Sequence, residues 1–199
     1  MHILAISSGN DIEASRWEAV VNSGIDALMI REKQLDARSL LELGKRIRDI
    51  APSLPIWING RLDIALALGA GFHGGEEYPA ITLPSSFCPL SRPLHSIEQI
   101  RERGITDQLL ISPVFEVPEK KSPLGVAGLH GILEDMPPWE GKLLALGGIN
   151  PGNAAELQHR RLDGVALIRG LWDSVDPCDT VGRLRAAWNN GSNWKENKC

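Results

Sequence analysis

The stretch "PIWINGRLDIALALGAGFHGG", residues 55–75, decides the fold. A short apolar run, Pro55 to Ile58, stops at the polar pair Asn59-Gly60. A helical pattern follows over Arg61 to Leu68, and a second short apolar run, Gly71 to His73, ends in Gly74-Gly75. Neither apolar run alternates with polar residues, so each reads as a strand buried on both faces, as in a parallel sheet. The unit is strand, turn, helix, strand. Its polar residues stand where a strand emerges from the core.

The same unit repeats along the chain. Strands are expected at 2–7, 26–30, 55–58, 71–73, 92–95, 108–112, 142–147 and 163–168, with helical patterns between most of them. Over 36–50, Leu40, Leu43, Ile47 and Ile50 form one helical stripe, with Asp36 as N-cap. Ser96 to Gln99 reads as a capping box, and Asn150-Pro151 as an N-cap followed by proline at the first helical position. Further helices are expected at about 12–22 and 180–188. The units around 74–90 and 113–127 are rich in Pro, Ser and Gly and carry the weakest patterns. Eight such strands predict an α/β fold, a single-domain (β/α)8 TIM barrel over 1–188 with a polar C-terminal tail over 189–199. The rival, an open doubly wound sheet with a dinucleotide site, lacks its Gly-x-Gly-x-x-Gly after the first strand.

A chain of 199 residues, 43% of them hydrophobic, has one sizeable core rather than two domains. A net charge of −4 gives no basic surface for nucleic acid or an anionic membrane. Cys88, Cys178 and Cys199 are too widely spaced for a zinc motif, and no run has the roughly 20 apolar residues of a membrane span. A cytoplasmic protein without a leader is expected.

In a barrel the C-terminal strand ends build the site. Arg31 and Lys33 follow the second strand, Asn59 the third, and His73 ends the fourth. His95 ends the fifth, and Glu116 and Lys120 follow the sixth. Gly147 and Gly148 follow the seventh, and Ile168, Arg169 and Gly170 end the eighth. The loops after strands seven and eight are where barrels bind phosphate, so a phosphorylated small molecule is the expected ligand. Read singly, His73 and His95 are hydrogen-bonded core histidines and Arg31 to Lys33 a solvated turn; their shared placement at one rim points to a site.

With "IREK" (30–33), "INGRLDIALALGAGFHGGEE" (58–77), "PLHSIEQI" (93–100), "SPVFEVPEKKSPLG" (112–125), "LALGGINPGNA" (144–154) and "DGVALIRGLW" (163–172) in this order, the chain resembles the thiamine phosphate synthase/TenI superfamily from about Ile3 to Trp188. The resemblance implies a barrel that binds a thiazole phosphate, and a homo-oligomer. In the synthase branch, hydroxymethylpyrimidine pyrophosphate is joined to that thiazole with Mg2+. Residues matching the pyrophosphate side are Arg31, Lys33, Asn59 and Lys120; Gly147, Gly148 and Ile168 to Gly170 match the thiazole phosphate side, and Gly125 is counted with the substrate-binding set.

The chain departs from that branch at its metal. Gly60 stands where the synthases carry a metal-holding Asp, and Tyr78 where they carry a second. Met29, Pro93, Val117 and Glu119 replace a Gln, a Ser and a Thr pair. Asn59-Gly60 is instead similar to the TenI branch of thiazole tautomerases, which need no metal, yet Pro113 stands at the position of their proton-transfer His. His95 and Glu116 are the nearest acid/base groups in sequence. The first expectation is a TenI-like, tautomerase-like enzyme on a thiazole phosphate, with no metal ligand and no cofactor. The alternatives are a divergent thiamine phosphate synthase, with Mg2+, and a non-catalytic or regulatory binder of thiamine intermediates.

Overall fold

A computed structural model describes residues 1–9, 12–79, 81, 84–100, 106–118 and 122–192. Eight parallel strands close into a barrel in sequence order: β1 (His2–Ile6), β2 (Ala27–Ile30), β3 (Ile56–Asn59), β4 (Gly71–His73), β5 (Leu90–Leu94), β6 (Gln108–Ile111), β7 (Lys142–Leu146) and β8 (Gly164–Leu167). The seam is the β1–β8 ladder, with His2 beside Gly164 and Ala5 beside Leu167. Around the barrel lie α1 (Ala14–Val21), α2 (Ala37–Ile50), α3 (Leu62–Leu68), α4 (Gly125–Asp135), α5 (Arg169–Trp172) and α6 (Pro177–Ser192).

The unalternating apolar strands have a direct physical reason. One set of side chains, Ile3, Ala5, Leu28, Ile30, Ile58 and Phe72 among them, packs outward in the layer shared with the helices. The alternate set, Leu4, Ile6, Ala27, Met29, Leu110, Leu144 and Ala166, fills the barrel interior with Trp57, Leu146 and Ile168 against it. Both faces of each strand are therefore dry. No helix among the described residues is long and apolar enough to cross a membrane.

The rim at the strand N-termini is held by a repeated device. Asp26, Asp107 and Asp163 each precede an even-numbered strand, and the Oδ2 of each accepts from an amide of the strand before it: Ile3, Leu90 and Leu143, each at 2.7 Å. The backbone amides of the same aspartates donate to the carbonyls of those same three residues, at 2.9, 2.8 and 2.9 Å. Each aspartate thus grips one residue at both polar atoms. We expect Asp163→Ala to lower stability by about 1.5 kcal/mol in urea unfolding, because the Leu143 amide loses its partner; a change under about 0.3 kcal/mol would refute the clamp.

Several local expectations are corrected. Asp36 does cap α2, its Oδ1 accepting from Ser39 N at 2.7 Å. The capping box at Ser96 does not form: Gln99 Oε1 accepts instead from His95 N at 2.8 Å, one residue earlier, ahead of a single 3-10 turn, Ile97–Gln99. Asn150-Pro151 opens turns rather than an α-helix. Asn150 Oδ1 takes Gly152 N and Asn153 Oδ1 takes Asn150 N, and only the 3-10 turn Ala154–Leu157 follows. The polar segment expected to fray after Trp188 continues α6 through Ser192; 193–199 lie outside the described residues.

Between β4 and β5 no helix forms among the described residues. The chain is held there by Arg92, buried on β5, whose guanidinium donates to the carbonyls of Tyr78 at 2.7 Å and Pro79 at 3.3 Å.

Candidate functional site

The strand C-termini surround a cleft of about 850 Å3. From β2 comes Arg31, whose backbone amide donates to the buried Ser7 Oγ at 2.7 Å, so the end of β1 positions the start of this loop. Ser8, also at the end of β1, lines the cleft. Neither serine is among the residues expected from sequence, although they end a strand like the others.

Gly147 and Gly148 also line the cleft, with φ of +110° and +66°. A Cβ at Gly147 would stand 2.9 Å from Pro113 Cα, and one at Gly148 2.7 Å from Phe115 Cβ and 2.9 Å from Glu116 O. Only glycine lets this turn run against 113–116, where Val114 N and Phe115 N donate to the carbonyls of Leu146 and Gly147, each at 3.0 Å. Ile168, Arg169 and Gly170, entering α5, complete this wall.

His95 and Glu116 line the same cleft. His95 Nδ1 meets the Ser112 carbonyl, which can only accept, so Nδ1 carries the proton. Its Nε2 stands 3.5 Å from Glu76 Oε1. Gln99 closes the ring: its Nε2 donates to Glu76 Oε1 at 3.1 Å while its Oε1 holds the His95 amide. This linkage joins the loop after β4 to the end of β5.

Other expected residues stand elsewhere. Lys33 is exposed in the turn after β2, and Asn59 is half-buried at the end of β3, beside His73 in the ladder; neither lines the cleft. Gly125 starts α4 with its amide given to Val114 O at 2.9 Å. Lys120 lies outside the described residues. His73 is a buried barrel-core residue, with Nδ1 2.8 Å from Ser91 Oγ, to which Gln108 Nε2 also donates at 3.2 Å. Burial, aided by the charges of Arg92 and Arg31, lowers its pKa to about 3, so it is neutral at physiological pH.

The positions implied for a metal have closed on each other. The Tyr78 hydroxyl donates to the Gly60 carbonyl. The Tyr78 ring packs edge-on to Phe72, centroids 5.1 Å apart at 71°. Mg2+ takes oxygen ligands, carboxylates above all. Gly60 offers no side chain, and Tyr78 offers a neutral phenol already used as a donor. Among the described residues no three His, Cys, Asp or Glu side chains group to hold a metal. The residues present do not fit Mg2+ at this place.

The family model of thiamine monophosphate synthase matches residues 3–171. The chain is 34% identical over 176 residues to the thiamine-phosphate synthase of Albidiferax ferrireducens, covering 84% of this chain and 80% of the relative. It is likewise 34% identical over 181 residues to the thiamine-phosphate synthase of Moorella thermoacetica, covering 81% of each. In fold it is similar to a thiamine phosphate pyrophosphorylase from Pyrococcus furiosus, with a TM-score of 0.79, 24% identity and 96% of both chains covered.

Proposed function

Because this chain belongs to the thiamine monophosphate synthase family, whose named relatives are transferases, we propose that it joins a hydroxymethylpyrimidine diphosphate to a thiazole phosphate. This reverses the order of the sequence-based expectations, in which the tautomerase came first. One observation carries the reading. A single cleft is lined by Arg31, by Gly147-Gly148 and by Ile168–Gly170, and about 850 Å3 suits two small substrates together.

In the coupling, the thiazole ring nitrogen forms a C–N bond to the methylene carbon of the pyrimidine. The C–O bond to the diphosphate breaks, and its electron pair leaves with the diphosphate. No proton moves at the reacting atoms, so Pro113 at the tautomerase His position is no obstacle. The work left to the protein is holding two anions and excluding water. Arg31 faces the leaving diphosphate with a permanent charge; the glycine turn holds the thiazole phosphate. His95 and Glu116 are then positioning residues.

The test is formation of thiamine phosphate from the two substrates, run with Mg2+ and with EDTA. Arg31→Ala is expected to lower kcat/KM about tenfold, the loss of one charge-assisted contact. No product in either buffer, with thiazole phosphate shown to bind, would end the coupling reading. A tautomerase-like activity is the second reading, favoured by the fixed protonation of His95 Nδ1, which leaves Nε2 on the cleft side as acid/base. Turnover in a tautomerisation assay that His95→Gln abolishes would establish it.

A further inference from the structure

We infer that this chain holds the diphosphate end of its ligand without a divalent cation, the Tyr78–Gly60 hydrogen bond standing where carboxylates would hold one. The inference rests on the coupling reading of the cleft. Three observations support it.

First, Gly60 is not forced by crowding. A Cβ there would meet nothing within 4 Å. Its φ of +72° is one that Asp and Asn tolerate better than other side-chain-bearing residues. There is room for a carboxylate, at the cost of a strained backbone, yet the position offers only a carbonyl, and that carbonyl accepts from Tyr78.

Second, Tyr78 is fixed along its whole length. Its ring lies on Phe72, its own carbonyl accepts from the buried Arg92 at 2.7 Å, and its hydroxyl is committed to Gly60. Swinging the side chain aside to admit a hydrated cation would break both the ring contact and the hydroxyl contact, while the carbonyl held by Arg92 keeps the backbone in place.

Third, one of the carboxylates lining the cleft, Glu76, is engaged. Glu76 Oε1 receives Gln99 Nε2 at 3.1 Å and faces His95 Nε2 at 3.5 Å. A cation ligand must turn its lone pairs to the metal, and this oxygen is turned to two nitrogens. Among the described residues the positive charge lining the cleft is organic: Arg31 from the end of β2 and Arg169 after β8. A guanidinium meets a diphosphate with paired N–H donors and needs no hydration shell removed from a metal.

The experiment is calorimetric titration of inorganic pyrophosphate into the purified full-length protein, once in EDTA and once in millimolar Mg2+. The expected result is an affinity equal within about twofold in the two buffers. The double variant Gly60→Asp/Tyr78→Asp puts carboxylates at both positions, and in it Mg2+ is expected to tighten pyrophosphate at least about tenfold. Wild-type affinity that rises about tenfold or more with Mg2+ overturns the inference, and so does the absence of pyrophosphate binding in both buffers. The wild-type comparison decides even if the double variant does not fold. Failure of the coupling reading looks different: pyrophosphate binds in EDTA but thiamine phosphate never forms. Product that forms only with Mg2+ keeps the coupling and overturns the metal-free site.

Discussion

Gly164→Ala is expected to cost about 4 kcal/mol and to leave little folded protein at physiological temperature. The new Cβ would sit 1.8 Å from the His2 carbonyl oxygen and 2.5 Å from the His2 nitrogen. Both are backbone atoms of the neighbouring strand, so no side-chain rotation relieves the overlap. His2 is the register partner of Gly164 on the β1–β8 seam, where the barrel closes. Relief requires the two strands to part, and hydrogen bonds along the ladder stretch with them. Urea unfolding of the variant beside Gly182→Ala makes the measurement. Gly182 lies in α6 with nothing within 4 Å of its would-be Cβ, so alanine there is expected to be neutral or stabilising by up to about 1 kcal/mol. A Gly164→Ala protein within about 1 kcal/mol of wild type would mean that the seam is not closed as described.

The second large effect is on the acid side. His73 has a folded-state pKa of about 3 against an ordinary 6.5, depressed first by burial and then by Arg92 and Arg31. The sign follows from proton linkage. Below pH 6.5 the unfolded chain takes up a proton on this imidazole while the folded chain stays neutral, so acidification favours unfolding. Down to pH 5 this one group removes about 2 kcal/mol of stability, with the loss levelling off only as pH approaches 3. Stability above pH 7 is untouched by it. His73→Gln keeps a polar contact for Ser91 and removes the titration. Its stability between pH 7 and 5 is expected to fall by about 2 kcal/mol less than that of wild type. Parallel pH profiles for the two proteins would show that His73 titrates normally.

Much of the barrel was legible in the sequence because most strands are buried on both faces and read as short, largely apolar runs, a pattern with few other uses; β4, only three residues long, and β5, with Ser91 and Arg92, carry the weakest such signal. All eight expected strands lie within two residues of those observed. β5 shows why the ends drift. It starts at Leu90 rather than Arg92, because Asp107 reaches across to the Leu90 amide, a contact set by a residue far along the chain. The rim was legible for the same reason as the strands: once their ends are known, Arg31, His95, Gly147, Gly148 and Ile168 to Gly170 fall on one side together. The bond between Tyr78 and Gly60 was not legible. The resemblance to the synthases implies two missing carboxylates, but the contact depends on a return of the chain after β4, held by Arg92. Gln99 was misassigned by one residue because a capping box and a loop-bracing contact use the same amide side chain. His73, at a strand end like the others, sits one layer deeper, and no local pattern distinguishes depth within a barrel.

The three aspartate clamps sit at the end of the barrel opposite the cleft, and that separation says something about how such a chain changes over time. What registers the strands is written at one mouth, in Asp26, Asp107 and Asp163; the cleft opens at the other. Side chains at the cleft end can therefore be exchanged, an acid for a glycine or a tyrosine, while the strands below keep their alignment. The scaffold tolerates experiment at one mouth because its spelling is guarded at the other.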